Sequence, residues 1–114
     1  QLGMMITEAA KNLSKYISEI TVLDPTENCP AAQAGAKQIV GDFKDELAML
    51  KLAEQSDIIT YEIESGNTDV LSKLKAKIEP SPSTLGIIQD KFLQKTFLSR
   101  RLKIENAITT VNWR

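Results

Sequence analysis

The sequence predicts a Rossmann-like α/β domain built on a parallel sheet, and three observations point there. Short β-branched apolar runs alternate with stretches of helical periodicity through most of the chain. Each run closes on turn-forming residues, as in Asp24-Pro25-Thr26 and Gly41-Asp42. Strands that alternate singly with helices imply parallel pairing through crossover connections.

Leu2, Met5, Ile6, Ala9, Ala10 and Leu13 recur at helical spacing, which predicts an amphipathic helix over residues 2–15. Glu19-Ile20-Thr21-Val22-Leu23 reads as a strand, ended by the Asp-Pro turn. The Ala-rich stretch 28–35 suits a loop and a short helical turn, with Pro30 near its start. Lys37-Gln38-Ile39-Val40 reads as a second short strand. From Asp45 a helix is expected, with Phe43, Leu47, Leu50 and Ala53 at periodic spacing and two acids suited to the helix dipole.

Residues 57–64, Asp-Ile-Ile-Thr-Tyr-Glu-Ile-Glu, predict a third strand. Alternation would set Ile58, Thr60, Glu62 and Glu64 on one face, with Glu62 and Glu64 at the carboxyl end, where parallel sheets bind ligands. Ser65-Gly66-Asn67-Thr68 opens a helix bearing Val70, Leu71 and Leu74. Ile78 marks a brief strand before Pro80-Ser81-Pro82. Ser83 is expected to cap the helix carrying Leu85, Ile87 and Ile88, and Asp90 to cap or continue into one carrying Phe92, Leu93, Phe97 and Leu98. The stretch 108–111 is β-prone without an identifiable partner. A right-handed crossover needs a strand ahead of the first helix. None precedes Gln1, so the expected sheet lacks its first strand.

Composition narrows the function. A chain of 114 residues with 42% apolar and 25% charged residues is one ordinary globular domain at most. A net charge of −1 without a basic block argues against a dedicated nucleic-acid binder. There is no histidine, and the single cysteine, Cys29, allows neither a disulfide framework nor a cysteine-based zinc site. No run approaches the roughly 18 apolar residues of a membrane span, and no signal peptide is recognisable. A cytoplasmic protein is expected.

Several stretches could carry chemistry. Gln1-Leu2-Gly3 opens a helix, where backbone N–H groups attract phosphates, or else forms a frayed terminus. Glu62 and Glu64 could be an acid–base pair, which needs roughly 5 to 9.5 Å between carboxyl groups, or a solvated surface pair. Glu62 fits ligand binding better than acid–base catalysis. Asp90, Lys91 and Lys95 could form a phosphate-contacting cluster or a solvated helix surface. Cys29 reads as a small buried hydrophobe rather than a reactive thiol. Asp24 ends a strand where dinucleotide-binding folds place an acid for ribose hydroxyls.

Seven stretches taken together resemble one family. They are Gln1-Leu2-Gly3-Met4-Met5, Val22-Leu23-Asp24-Pro25-Thr26, Cys29-Pro30-Ala31-Ala32-Gln33, Ile39-Val40-Gly41-Asp42-Phe43, Thr60-Tyr61-Glu62-Ile63-Glu64, Pro80-Ser81-Pro82, and Ile87-Ile88-Gln89-Asp90-Lys91 with Gln94-Lys95. In this order they resemble the N-terminal domain of the PurK-type 5-(carboxyamino)imidazole ribonucleotide synthases of the ATP-grasp superfamily. The resemblance implies a pre-ATP-grasp domain over residues 1–100, and over 101–114 the start of a linker to an ATP-grasp domain absent from this chain.

It implies a ligase of purine biosynthesis that joins bicarbonate to aminoimidazole ribonucleotide with ATP and Mg2+, through a carboxyphosphate intermediate, in a homodimeric enzyme. By motif position Gln1, Leu2 and Glu62 would line the ribonucleotide site, and Lys91 would contact ATP. Magnesium ligands and catalytic groups would lie in the following domain. Met4 stands where many members have arginine and Ser65 where many have histidine, so neither position carries a role over. Residues 101–111 lack the Gly-Ile-Pro-type passage that usually leads onward.

Three readings follow. The first is an N-terminal piece of such a ligase, inert alone because phosphoryl transfer needs metal ions and electrostatic clamps. The second is a nicotinamide-dinucleotide-binding domain of a dehydrogenase, resting on Asp24; of the Gly-rich fingerprint, Gly3 can supply only the last glycine. The third is a non-catalytic interaction module with an unpaired sheet edge.

Overall fold

The computed structural model describes residues 1–101, with side chains through Arg100. The stretch 108–111 and nearly all of the expected linker lie outside the described residues. The elements run α1 (Leu2–Lys11), β1 (Thr21–Asp24), α2 (Pro30–Gln33), β2 (Lys37–Val40), α3 (Glu46–Glu54), β3 (Ile58–Ile59), α4 (Thr68–Leu71), β4 (Lys77–Ile78), α5 (Pro82–Gln89) and α6 (Lys91–Arg101). The expected alternation is present.

The strands are not joined in one sheet. β1 pairs in parallel with β2, Thr21 opposite Lys37 through Asp24 opposite Val40. β3 pairs in parallel with β4, Ile58 opposite Lys77 and Ile59 opposite Ile78. Among the described residues no strand links the two pairs.

Helix starts follow local chemistry. The Asp45 carboxylate caps α3, accepting from the N–H groups of Leu47 at 2.9 Å and Ala48 at 3.3 Å. Such a cap contributes about 0.5–2 kcal/mol. Asn67 caps α4 in the same way, accepting from Asp69 and Val70. Asp90 caps α6, accepting from Phe92 at 2.8 Å and Leu93 at 3.0 Å. α5 is capped by Ser81, which accepts from the Thr84 N–H, and not by Ser83, because Pro82 takes the first helical position, where its missing N–H costs no helical bond.

One core cluster joins Met49, Val70, Leu71 and Leu85, with Leu23, Tyr61, Leu74 and Ile78 packed against it. It ties β1 to the elements around β3. A second cluster, Cys29, Ala31 and Ala36, packs against Ile20 and Val22. Cys29 is 1% exposed, a buried small hydrophobe as expected. α3 approaches the end of β2 closely: a β-carbon on Gly41 would come within 2.8 Å of the Ala48 β-carbon. Only glycine leaves that room.

Two helix phases differ from expectation. In α3 the buried residues are Ala48 and Met49, whereas Leu47 and Leu50 are exposed. The Gly41 contact and the Met49 cluster fix the helix about its axis. In α1 the buried residues are Thr7 and Ala10, while Leu2, Met5, Ile6 and Leu13 are exposed. The Thr7 hydroxyl donates to the Gly3 carbonyl at 2.7 Å, which satisfies it inside the protein. α1 stops at Lys11, and residues 12–16 continue as turns. No helix among the described residues is long and apolar enough to cross a membrane.

Candidate functional site

The strand expected over residues 57–64 is only Ile58–Ile59. Beyond it, residues 60–67 form an irregular loop, so Glu62 and Glu64 do not share a strand face. The reason is the pairing: β4 is only two residues long, and the last bond it offers runs from the Glu79 N–H to the Ile59 carbonyl at 2.9 Å.

Side chains shape this loop instead of a ladder. The Tyr61 hydroxyl donates to the Ser81 carbonyl at 3.2 Å. The Gln89 amide donates to the carbonyls of Glu64 at 2.7 Å and Gly66 at 2.8 Å. The loop carrying Glu62 is thus fastened to both ends of α5. Burial pushes the Tyr61 hydroxyl pKa above its ordinary value of 10.0, with the Leu85 backbone acting in the opposite direction.

Glu62 reaches from this loop to the start of α1. A β-carbon on Gly3 would lie 2.8 Å from Glu62 Oε1 and 3.4 Å from the Ala31 β-carbon. Gly3 is therefore a position of close approach, which the sequence marks as a motif glycine without giving the reason. The N-terminus of α1 has no capping side chain, since Gln1 makes no cap hydrogen bond. Its first N–H groups remain available as donors.

Gln1, Leu2 and Glu62 all line one cavity of about 530 Å³, together with Gly3, Asp24, Tyr61 and apolar residues of α1, β1, α3 and β3. The three expected substrate contacts are brought together. Lys91 is not among the lining residues; it is exposed at the first position of α6. Asp24 lines the cavity, but its carboxylate accepts the Thr26 N–H at 2.8 Å within its own turn. That bond gives it a structural task without a dinucleotide. Gln38 holds the same turn, its amide donating to the Thr26 carbonyl at 2.7 Å and accepting from the Cys29 N–H at 3.3 Å.

Gln89 and Gln38 escaped sequence reasoning as positioning residues. The Gln89 bonds span 23 and 25 residues, and no local pattern encodes such a clamp. Among the described residues no three of His, Cys, Asp or Glu converge to hold a metal ion, so these residues offer magnesium no ligand set.

The chain is similar to proteins of known family. The chain is 40% identical over 116 aligned residues to the N5-carboxyaminoimidazole ribonucleotide synthase of Brucella melitensis, covering 100% of this chain and 30% of that protein. It is 42% identical over 105 residues to the phosphoribosylaminoimidazole carboxylase of Saccharomyces cerevisiae, covering 86% of this chain and 18% of that one. The N5-carboxyaminoimidazole ribonucleotide synthetase structure from Thermotoga maritima superposes with a TM-score of 0.80 at 45% identity, over 88% of this chain and 28% of that one.

The Aspergillus clavatus N5-carboxyaminoimidazole synthase, solved with ADP and 5-aminoimidazole ribonucleotide, superposes with a TM-score of 0.79 at 38% identity, over 88% of this chain and 27% of that one. The chain thus spans less than a third of these relatives. The family model of the ribonucleotide synthetase preATP-grasp domain matches residues 1–89, and the chain belongs to that family.

Proposed function

We propose that this chain contributes the amino-terminal part of the ribonucleotide site of an ATP-dependent ligase of purine biosynthesis. The ligase would join bicarbonate to aminoimidazole ribonucleotide, ATP passing its terminal phosphoryl group to bicarbonate before the carboxyl group reaches the substrate amine. Magnesium, held by residues outside those described, would offset the phosphate charge. The enzyme would act in the cytoplasm as a homodimer.

The observation that carries this reading is the meeting of Glu62 with the uncapped start of α1 at Gly3, beside Gln1 and Leu2. A carboxylate only accepts hydrogen bonds, and suits ribose hydroxyls or an amine. Helix N–H groups suit a phosphate. A ribonucleotide offers both kinds of partner. Lys91, by its motif position and its exposed ammonium, would meet ATP.

The test is a chimera in which residues 1–100 replace the matching stretch of the Brucella melitensis synthase. Glu62→Gln should raise the KM for aminoimidazole ribonucleotide about tenfold, matching the roughly 1.5 kcal/mol of a hydrogen bond to a charged group. The KM for ATP should stay within about twofold, less than roughly 0.5 kcal/mol. Unchanged ribonucleotide affinity would remove Glu62 from the site.

A further inference from the structure

Glu62 and Lys91 stand on two segments that α5 joins. The loop of residues 60–67 carries Glu62, and α5 holds that loop along its whole length. At the start of α5 the Ser81 carbonyl accepts from the Tyr61 hydroxyl. In the middle, a β-carbon on Gly66 would lie 3.2 Å from Leu85 Cδ2, and Leu85 is 1% exposed. At the end, the Gln89 amide nitrogen donates to the carbonyls of Glu64 and Gly66. That nitrogen has two hydrogens, so both are spent on the loop. Loop and α5 therefore move as one body.

The second body begins one residue later. Asp90 has extended backbone, φ −110° and ψ 112°, and so ends α5. The same residue is bonded firmly into α6. Its carboxylate accepts from the N–H groups of Phe92 and Leu93, and its carbonyl accepts from the Gln94 N–H at 2.8 Å. The joint between the two bodies is therefore the single linkage from Gln89 to Asp90. Lys91 is the first residue of α6, and two residues span at most roughly 7 Å. Gln89 is exposed, so burial does not force its amide onto the loop. Ending α5 does not require those bonds either, since Asp90 alone breaks the helix. Their effect is to tie the joint, and with it the base of Lys91, to the loop that carries Glu62.

We propose that Gln89 is a positioning residue that couples the two substrate contacts. Ribonucleotide held at Glu62 orders the loop, and the Gln89 amide passes that order across the joint to Lys91. Ribonucleotide and adenine nucleotide then bind the complete ligase with mutual gain, by the same factor in both directions. Without the two amide bonds each segment still meets its own substrate, but independently of the other. The coupling rests on the proposed roles of Glu62 at the ribonucleotide and Lys91 at ATP.

The test is calorimetric titration of the chimera with ADP, in the absence and presence of saturating aminoimidazole ribonucleotide. The ribonucleotide should tighten ADP binding at least about fivefold, and ADP should tighten ribonucleotide binding by the same factor. Gln89→Glu keeps the length of the side chain but has no hydrogen to give the two carbonyls. In that variant the coupling should fall below about twofold in both directions, while ADP alone binds within about twofold of its affinity for the unsubstituted chimera. A purely structural role would weaken the separate affinities and leave their coupling in place. Coupling retained in Gln89→Glu overturns the proposal, as does an unsubstituted chimera that binds the two ligands independently. The roles of Glu62 and Lys91 survive either result. A chimera that binds no ribonucleotide overturns the site and the coupling together.

Discussion

At Gly3 and Glu62 the chain brings a backbone and a carboxylate close enough that a single methyl group would part them. The obstructing atom is the end of a flexible, exposed side chain, so the cost falls on position and not on folding. Gly3→Ala should leave the melting temperature unchanged or slightly higher, since alanine in a helix gains about 0.5–1 kcal/mol over glycine. In the chimera it should weaken aminoimidazole ribonucleotide binding about tenfold, roughly 1.4 kcal/mol, as measured by calorimetric titration. Equal loss of stability and affinity would mean that Gly3 serves folding instead.

Tyr61 allows a prediction of opposite character. Its folded pKa lies above the unfolded value of about 10, chiefly through burial. Its stabilising contribution is therefore complete below pH 10 and falls as the unfolded chain loses its phenol proton first. Denaturation midpoints should drop between about pH 9.5 and 11, and Tyr61→Phe should flatten that drop. An unaltered slope in the variant would assign the fall to other groups. At this scale the sequence marked Gln1, Leu2 and Glu62 as one set through motif order. The close approach of Gly3 and Glu62 spans about half of the chain and has no local signature.

Elements were legible where their signals are local. The caps at Asn67 and Asp90 and the turns after β1 and β2 follow from single residues and their neighbours, whereas Asp45, expected within the first turn of α3, is its cap. Helix phase was less legible, because α1 and α3 each carry more apolar positions than one face can hold, and packing chooses among them. The third strand was overread because period-two alternation continues through Glu64, although β4 stops pairing it after Ile59.

What replaces that ladder is the Gln89 clamp. Gln89→Ala removes two hydrogen bonds, each contributing about 0.5–1.5 kcal/mol. Stability should fall by about 1–2 kcal/mol in urea denaturation, and exchange in residues 62–66 should quicken with little change in α3. Unchanged loop exchange would leave Gln89 without a positioning role.

For the whole molecule, the alternation of strands and helices identified the class, and motif order identified the family. The division into two strand pairs was not foreshadowed by any residue pattern. The chain spans 30% of its Brucella melitensis relative, and its described residues offer no ligand set for a metal. Under the proposed function this chain supplies only part of the site for one substrate. The most direct measurement is ATP turnover that depends on both aminoimidazole ribonucleotide and bicarbonate. The chain alone should give none, and the chimera carrying residues 1–100 should turn over within about tenfold of the parent synthase, roughly 1.4 kcal/mol. Turnover by the chain alone, or a folded chimera without ribonucleotide-dependent turnover, would contradict the account.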